Sequence, residues 1–416
     1  MTASDDAPAP SARAFSYASY RYFWITTLAA SFAAQIMSVS VGWQVYDITR
    51  NPFFLGLVGL AQFLPALLLV LVTGLAADKF PRRRIMQVSL AIEVGCATVL
   101  LFFASITGHH EIWPIYLVLV TLGTARAFIG PAGASLAPNL VPAPALANAV
   151  AMNATAWQLA GIIGPVAGGL LYGISPWVAY GSAGALAAIA LISISQVKAP
   201  AQKPHDQETS IGTLLAGFRY IWREKVVLGA ISLDLFAVLM GGAVALMPVF
   251  ARDILDTGPW GLGLLRAAPG VGAIATALFL ARFPVRDNAG ITLFIFVAGF
   301  GFFTMLFGLS SSIWFSVPLL ALIGACDMVS VSIRETIMQL WTPDSVRGRV
   351  NAVNSVFIGA SNELGEFRAG MMATVIGAQA AVALGGAATV AVAGIWSQIF
   401  PGIRRQRSLD KAMVEG

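Results

Sequence analysis

Long apolar runs broken by short polar stretches fill the chain from Tyr22 to Phe400. A helix that crosses a bilayer needs about 20 mainly apolar residues. Runs of that length fall at 22–46, 54–77, 84–106, 112–136, 147–172 and 175–197, then at 226–250, 260–282, 289–310, 313–340, 348–375 and 377–400. The pattern predicts an all-α membrane protein of twelve transmembrane helices. Its longest polar run, KAPAQKPHDQETS, divides them six and six. The expected organisation is a tail over 1–21, a six-helix bundle over 22–197, a linker over 198–225, a second bundle over 226–400 and a tail over 401–416. Late in the linker, Ile211, Leu214, Leu215, Phe218 and Trp222 recur at helical spacing beside Arg219, Arg223 and Lys225. That reads as an amphipathic helix on the inner leaflet, or as a cytosolic extension of the seventh span.

Composition agrees with the pattern. Apolar residues make up 57% of the chain and charged ones 11%, whereas a soluble domain carries roughly 25% charge. Nineteen of the 25 Lys and Arg fall in the tails and in the loops on the side of the tails. Arg50 and Arg252 alone face the other side, and Arg126, Arg266, Arg334 and Arg368 lie within spans. The excess of Lys and Arg on cytoplasmic loops orients both termini toward the cytoplasm. The net charge of +5 follows from these loops and calls for no nucleic-acid partner. The start, MTASDDAPAPSARAF, lacks a signal peptide's basic and apolar regions and reads as a disordered cytosolic tail. Cys96 and Cys326 lie in apolar runs as packing residues.

The two halves repeat in parallel register. An offset of 201 residues carries Gly123 onto Gly324, Pro142 onto Pro343, Asn153 onto Asn354, Gly164 onto Gly365 and Gly169 onto Gly370. With a slightly different offset, PFFLGL at 52–57 matches PWGLGL at 259–264. Such a repeat implies two pseudo-symmetric bundles around an axis along the membrane normal, with a site between them near mid-depth.

Three motifs carry a resemblance to a known family. GLAADKFPRRR between the second and third spans has Gly74, Asp78, Lys79, Arg82 and Arg83 at the spacing of a loop signature, with Pro81 in place of its second glycine. WQLAGIIGPVAGGLLYG in the fifth span has Gly161, Gly164, Pro165, Gly168 and Gly169. TARAFIGPAG places Arg126 inside the fourth span. These segments resemble the major facilitator superfamily, and VYDITRNPFFLGL, PDSVRGRVNAV and NELGEF resemble its enterobactin-exporter-like and macrolide-efflux-like branch. The resemblance implies that Asp78 and its basic neighbours latch the cytoplasmic gate, although the arginines alone would also follow from topology. It implies that the fifth-span motif belongs to an exporter or antiporter. Independently of family, glycines four apart let helices approach closely and Pro165 permits a bend.

A charge in hydrocarbon costs about 3 kcal/mol even on a lenient scale, so buried charges face the bundle interior. They are Glu93, Arg126, Asp234, Arg266, Asp327, Arg334, Glu335, Glu363, Glu366 and Arg368. Arg126 and Asp327 are repeat counterparts. They could pair across a central cavity in one state, or each could belong to a fixed pair inside its own bundle. Glu363 and Glu366 share a helix face. Two carboxylates that close in a low dielectric disfavour double ionisation, which makes them candidates for carrying a proton, with fixed hydrogen bonding as the alternative. Arg368 lies about 200° around the helix from Glu366 and needs a partner elsewhere. Gln35, Asp234, Arg334 and Glu335 are candidates for lining a substrate cavity. Asp47 reads as a helix-end or gate residue, and Glu93 as structural.

The expected function is secondary transport by alternating access: a proton-driven exporter, or antiporter, of a small amphipathic or siderophore-like molecule, working as a monomer in a bacterial cytoplasmic (inner) membrane. Its expected partners are that substrate, protons and the lipid bilayer. The proton-coupling candidates are Glu363, Glu366, Asp327 and Arg126. An uptake symporter and a non-transporting sensor or assembly factor on the same fold are the alternatives. No phosphate-cradling loop or enzyme signature is present, so neither ATP drive nor a cofactor is expected. No metal is expected either, since His109, His110 and Glu111 read as a solvated turn.

Overall fold

The computed structural model describes residues 13–105, 111–198, 218–285 and 287–406. The first six spans are Ala18–Thr49, Pro52–Leu68 continued by Val70–Lys79, Arg82–Ser105, Trp113–Leu136, Ala143–Ile174 and Pro176–Gln196. The second six begin with Lys225–Gly241, continued by short turns to Ile254, then Gly258–Arg282, Ala289–Leu309, Ile313–Trp341, Asp344–Ile376 and Ala378–Ile399. Ten of these are long and apolar enough to cross a membrane. The other two complete the set. The second span is interrupted at Leu69, and the eleventh carries the charged stretch. Because the number of spans is even, the first span begins and the twelfth ends on one side of the bundle, called here the termini side, and the opposite face is the far side.

Local chemistry sets the span ends. Asn51 accepts a hydrogen bond from Phe53 N at 3.0 Å and caps the second span, with Pro52 in the first turn where its missing N–H costs nothing. Pro176 starts the sixth span in the same way. Outward faces carry large exposed apolar side chains, including Phe102, Leu117, Ile192, Ile295, Phe302, Phe315 and Leu384. This inverts a soluble surface and fits a chain solvated by lipid.

The repeat read from the sequence appears as matched contacts. Gly123 of the fourth span lies so close to the second that an added Cβ would come 2.1 Å from the Gln62 carbonyl oxygen. Its counterpart Gly324 meets the Pro269 carbonyl of the eighth span at 1.9 Å in the same way. Between the halves, Gly169 of the fifth span crosses Gly263 and Pro259 of the eighth, while Gly370 of the eleventh crosses Gly56 and Pro52 of the second. These two crossings are related by the same repeat. They form the seams joining the halves, and small residues are what allow backbones to meet there. Both seams lie toward the far side: Ile162 to Gly169 against Pro259 to Gly270, and Pro52 to Phe63 against Gly359 to Gly370.

The seventh span departs from the sequence expectation of one continuous helix. Its helix stops at Gly241, Gly242 takes a non-helical conformation, and the chain resumes as a 3-10 turn, Val244–Leu246, and a wide π turn, Phe250–Ile254. Gly242 is where the eleventh span crosses, with an added Cβ 2.8 Å from the Gly365 carbonyl carbon. Of the proposed linker helix, Ile211, Leu214 and Leu215 lie outside the described residues; Phe218 stacks on Trp222 and contacts Phe357.

Candidate transport pathway

A cavity of about 430 Å3 opens in the termini-side half of the first bundle. The first and fourth spans form its long walls, with Met86, Leu90 and Glu93 of the third and Asn153 and Trp157 of the fifth completing it. Phe23, Thr26, Thr27, Ala30, Ser31, Ala34, Ile129, Gly130, Gly133 and Ala134 line most of it. A mainly apolar wall with a few polar groups is the usual composition of a small-molecule site.

At the head of this cavity, Arg126 donates through Nη2 to Glu93 Oε1 at 2.7 Å and through Nε at 3.1 Å. Its Nη1 reaches Gln62 Oε1 at 3.4 Å. The Glu93 side chain is 2% exposed and that of Arg126 26%, so the guanidinium is the group the cavity meets. The second bundle holds its own buried ion pair, Asp234 with Arg334. Asp327 lines a small recess with Asp234 and Ser330. Arg126 thus pairs inside its own bundle, whereas Asp327 joins no ion pair among the described residues and sits beside the Asp234–Arg334 pair. Glu93, read from sequence as structural, is thus the partner of Arg126; an acidic residue in a span was the signal available. Glu335 is exposed beside Arg334 and Asn354. Gln35 packs against the fifth span, its Cβ 2.6 Å from where a side chain at Gly164 would begin.

Glu363 and Glu366 occupy the seam between the second and eleventh spans. A Cβ added to Gly59 would lie 2.3 Å from Glu363 Oε2 and 3.4 Å from Glu366 Oε2. Glu363 Oε2 is buried with no hydrogen-bond partner among the described residues. The charge of Arg266, from the eighth span, acts on both glutamates. Arg266 donates from Nη1 to Ser38 Oγ of the first span at 2.8 Å, while its Nε is buried without a partner among the described residues. Sequence reasoning counted Arg266 among the buried charges without giving it a role. The repeat held a signal, because the offset matching PFFLGL to PWGLGL places Arg266 on Gly59, the residue that Glu363 faces.

Arg368 points away from the glutamates toward the broken seventh span. Its Nε donates to the Leu239 carbonyl at 2.9 Å, Nη2 to the Met240 carbonyl, and Nη1 to Met372 Sδ at 2.8 Å.

At the far side, charges from both halves interlock. Arg252 pairs with Asp47, Arg50 pairs with Asp253 at 3.5 Å, and the Tyr46 hydroxyl donates to Asp253. Arg252 also sits over the Trp43 ring, 5.4 Å from its centroid. The two arginines counted as topological exceptions thus join the halves.

Among the loop-signature residues, the side chain of Asp78 lies outside what is described. Arg82 donates to the Ser135 carbonyl at 2.7 Å and Arg83 to that of Ser195, which ties the loop to the fourth and sixth spans of its own half. Lys79 is exposed, and Gly74 has open space around it. In the fifth-span motif, Gly164 and Gly168 pack on the first span and Gly169 on the eighth, while a Cβ at Gly161 would meet open space. His109 and His110 lie outside the described residues.

Comparison with known proteins fits this geometry. The fold matches a bacterial homologue of the human lysosomal transporter Spinster in an inward-facing, unoccupied conformation, with a TM-score of 0.71 and 14% identity over 93% of this chain and 95% of that one. It also matches a POT family transporter in complex with 5-aminolevulinic acid, with a TM-score of 0.73 and 10% identity over 92% and 96%. In sequence the chain is 27% identical to the enterobactin exporter EntS of Shigella boydii serotype 4 over 324 residues, 76% of each chain. The profile of the transmembrane secretion effector family matches residues 9–413. The chain belongs to that family, within the major facilitator superfamily, and is a multi-pass membrane transporter rather than an enzyme.

Proposed function

We propose that the protein is a proton-driven exporter of a small amphipathic, siderophore-like molecule in a bacterial inner membrane, acting as a monomer with both termini cytoplasmic. The Lys and Arg bias supports a cytoplasmic termini side. In that orientation the cavity beside Arg126 opens inward, while the two seams and the charge network close the outside. Likeness to an enterobactin exporter supports export and a siderophore-like cargo. The apolar cavity, with one guanidinium at its head, suits an amphipathic molecule carrying a polar or anionic group.

The observation that carries the coupling is the seam itself. Closing the outside brings Glu363 against Gly59 and strips water from Oε2 without supplying a donor. A charged carboxylate left so is costly, and a protonated one far less so. Protons arriving from outside therefore favour the closed exterior, and their loss to the cytoplasm through the inward-open cavity favours reopening. Differential protonation of two states is the only way a proton gradient can do work on them. Asp327 and Arg126 are secondary candidates. The Asp78 loop would hold the outward-open state.

The test is flux in proteoliposomes with enterobactin as the first cargo and a pH-sensitive dye inside. The wild type is expected to exchange protons for cargo. Glu363→Gln, Glu366→Gln and Asp327→Asn combined are expected to abolish the exchange while cargo still binds. Undiminished pH-driven export by the triple variant would sink the proposal.

A further inference from the structure

The seventh span ends in mid-bundle with carbonyls that no longer have helical partners. In an unbroken helix, Leu239 O and Met240 O would accept from the N–H groups of residues 243 and 244. The break at Gly241–Gly242 removes those donors, and an orphaned carbonyl in a bilayer is expensive. Arg368 takes up both carbonyls through one guanidinium fork, with Met372 accepting its remaining end. A cation at a helix C-terminus also meets the negative end of the helix dipole.

Past the break, the chain turns through Val244–Leu246 and the π turn Phe250–Ile254. That π turn carries Arg252 and Asp253, the second half's contribution to the far-side network. A π turn inside a helical segment often marks a functional position. The direction of this segment is thus set by whether the chain is helical or broken at Gly241–Gly242.

We infer that Arg368 is a positioning residue for transport: by holding the Leu239 and Met240 carbonyls it stabilises the broken form of the seventh span, which aims Arg252 and Asp253 at Asp47 and Arg50 and keeps the far side closed. Without the guanidinium the two carbonyls recover partners most directly by helix continuing through the glycines. That re-aims residues 244–254 and withdraws the charges from the first half. The eleventh span would then act on the far side along two faces, with its glutamates on the seam and Arg368 on the break.

The experiment measures the distance across the far side by pulsed spin-label spectroscopy. Labels go at Glu111 and Ser311, exposed positions in opposite halves, in a Cys96→Ala, Cys326→Ala background in lipid nanodiscs. Arg368→Gln is expected to raise the ratio of long to short distances at least tenfold, and Arg368→Lys, which keeps the charge without the fork, to give an intermediate ratio. Thr389→Val removes another hydrogen bond to the seventh span, to the Ala237 carbonyl at 3.0 Å before the break, and is expected to lower thermal stability without moving the distances. The inference is overturned if Arg368→Gln keeps the wild-type distribution and loses only stability. Should that variant fail to fold, a wild-type distribution in Arg368→Lys overturns it equally.

Discussion

Arg126 shows how much a single buried charge depends on its partner. Removing one member of a buried ion pair typically costs about 3–5 kcal/mol, because the other is left unpaired, whereas replacing both with apolar residues is often neutral. Arg126→Met is therefore expected to lower the unfolding temperature markedly, and Glu93→Leu added to it to recover most of the loss, as read by thermal unfolding in detergent. Export should stay low in both variants, since the cavity has lost its guanidinium. At the far side Asp47, Arg50 and Asp253 are about half exposed and Arg252 about a quarter, so each pair is worth about 1 kcal/mol or less and the effect lies in conformational balance rather than stability. Reversing Asp47 to Arg should open the far side to a membrane-impermeant thiol reagent at an introduced cysteine, and adding Arg252→Asp should close it again.

Legibility at this scale was uneven. Arg126, Glu363, Glu366, Asp234 and Arg334 stand out in sequence because hydrocarbon makes any charge conspicuous. Their partners do not, since pairing depends on which helices adjoin. Arg50 and Arg252 are the clearest case. In sequence they only help to orient the chain, and their role emerges only when the ends of the first and seventh spans come together.

Among the elements, helix positions were legible to within a few residues in most spans, because a bilayer fixes the length of each apolar run. The seventh span was not. Asp234 apart, its interior is almost wholly apolar, and Gly241–Gly242 carries no mark of a break until Gly365 is seen crossing it. The seams and the bundle interiors use the same residue type for different ends, and substitution separates them. Gly324→Ala sets a Cβ 1.9 Å from the Pro269 carbonyl oxygen inside one bundle and is expected to prevent stable folding, seen as loss of a monodisperse peak in size-exclusion chromatography. Gly370→Ala, 2.8–3.1 Å from Pro52 and Gly56 across the seam, is expected to fold and to shift the molecule toward the far-open state. The halves can separate, whereas packed helices within a bundle cannot.

For the whole molecule, two repeated bundles meet along two repeated seams, and the asymmetry lies in what each seam carries. The fifth and eighth spans meet through glycines, prolines and the aliphatic Ile162 and Val166, while the second and eleventh enclose two carboxylates. The carboxylates are legible in sequence because two of them share one face of an apolar span, and the repeat sets that span against the glycine-rich fifth. Among the described residues, the charged groups that act on Glu363 and Glu366 are each other and Arg266; the second span offers Gly59 there. On the proposed coupling, lowering the pH is expected to neutralise the carboxylates and favour closure, and raising it to charge them and favour separation. The measurement that bears most directly on this claim is the far-side distance between labels at Glu111 and Ser311, followed through a pH titration in the wild type and in Glu363→Gln with Glu366→Gln. The expected result is a wild-type population that moves from short to long distances as pH rises, and a double variant that stays short throughout. A double variant that still opens with rising pH, along the wild-type curve, would contradict the account.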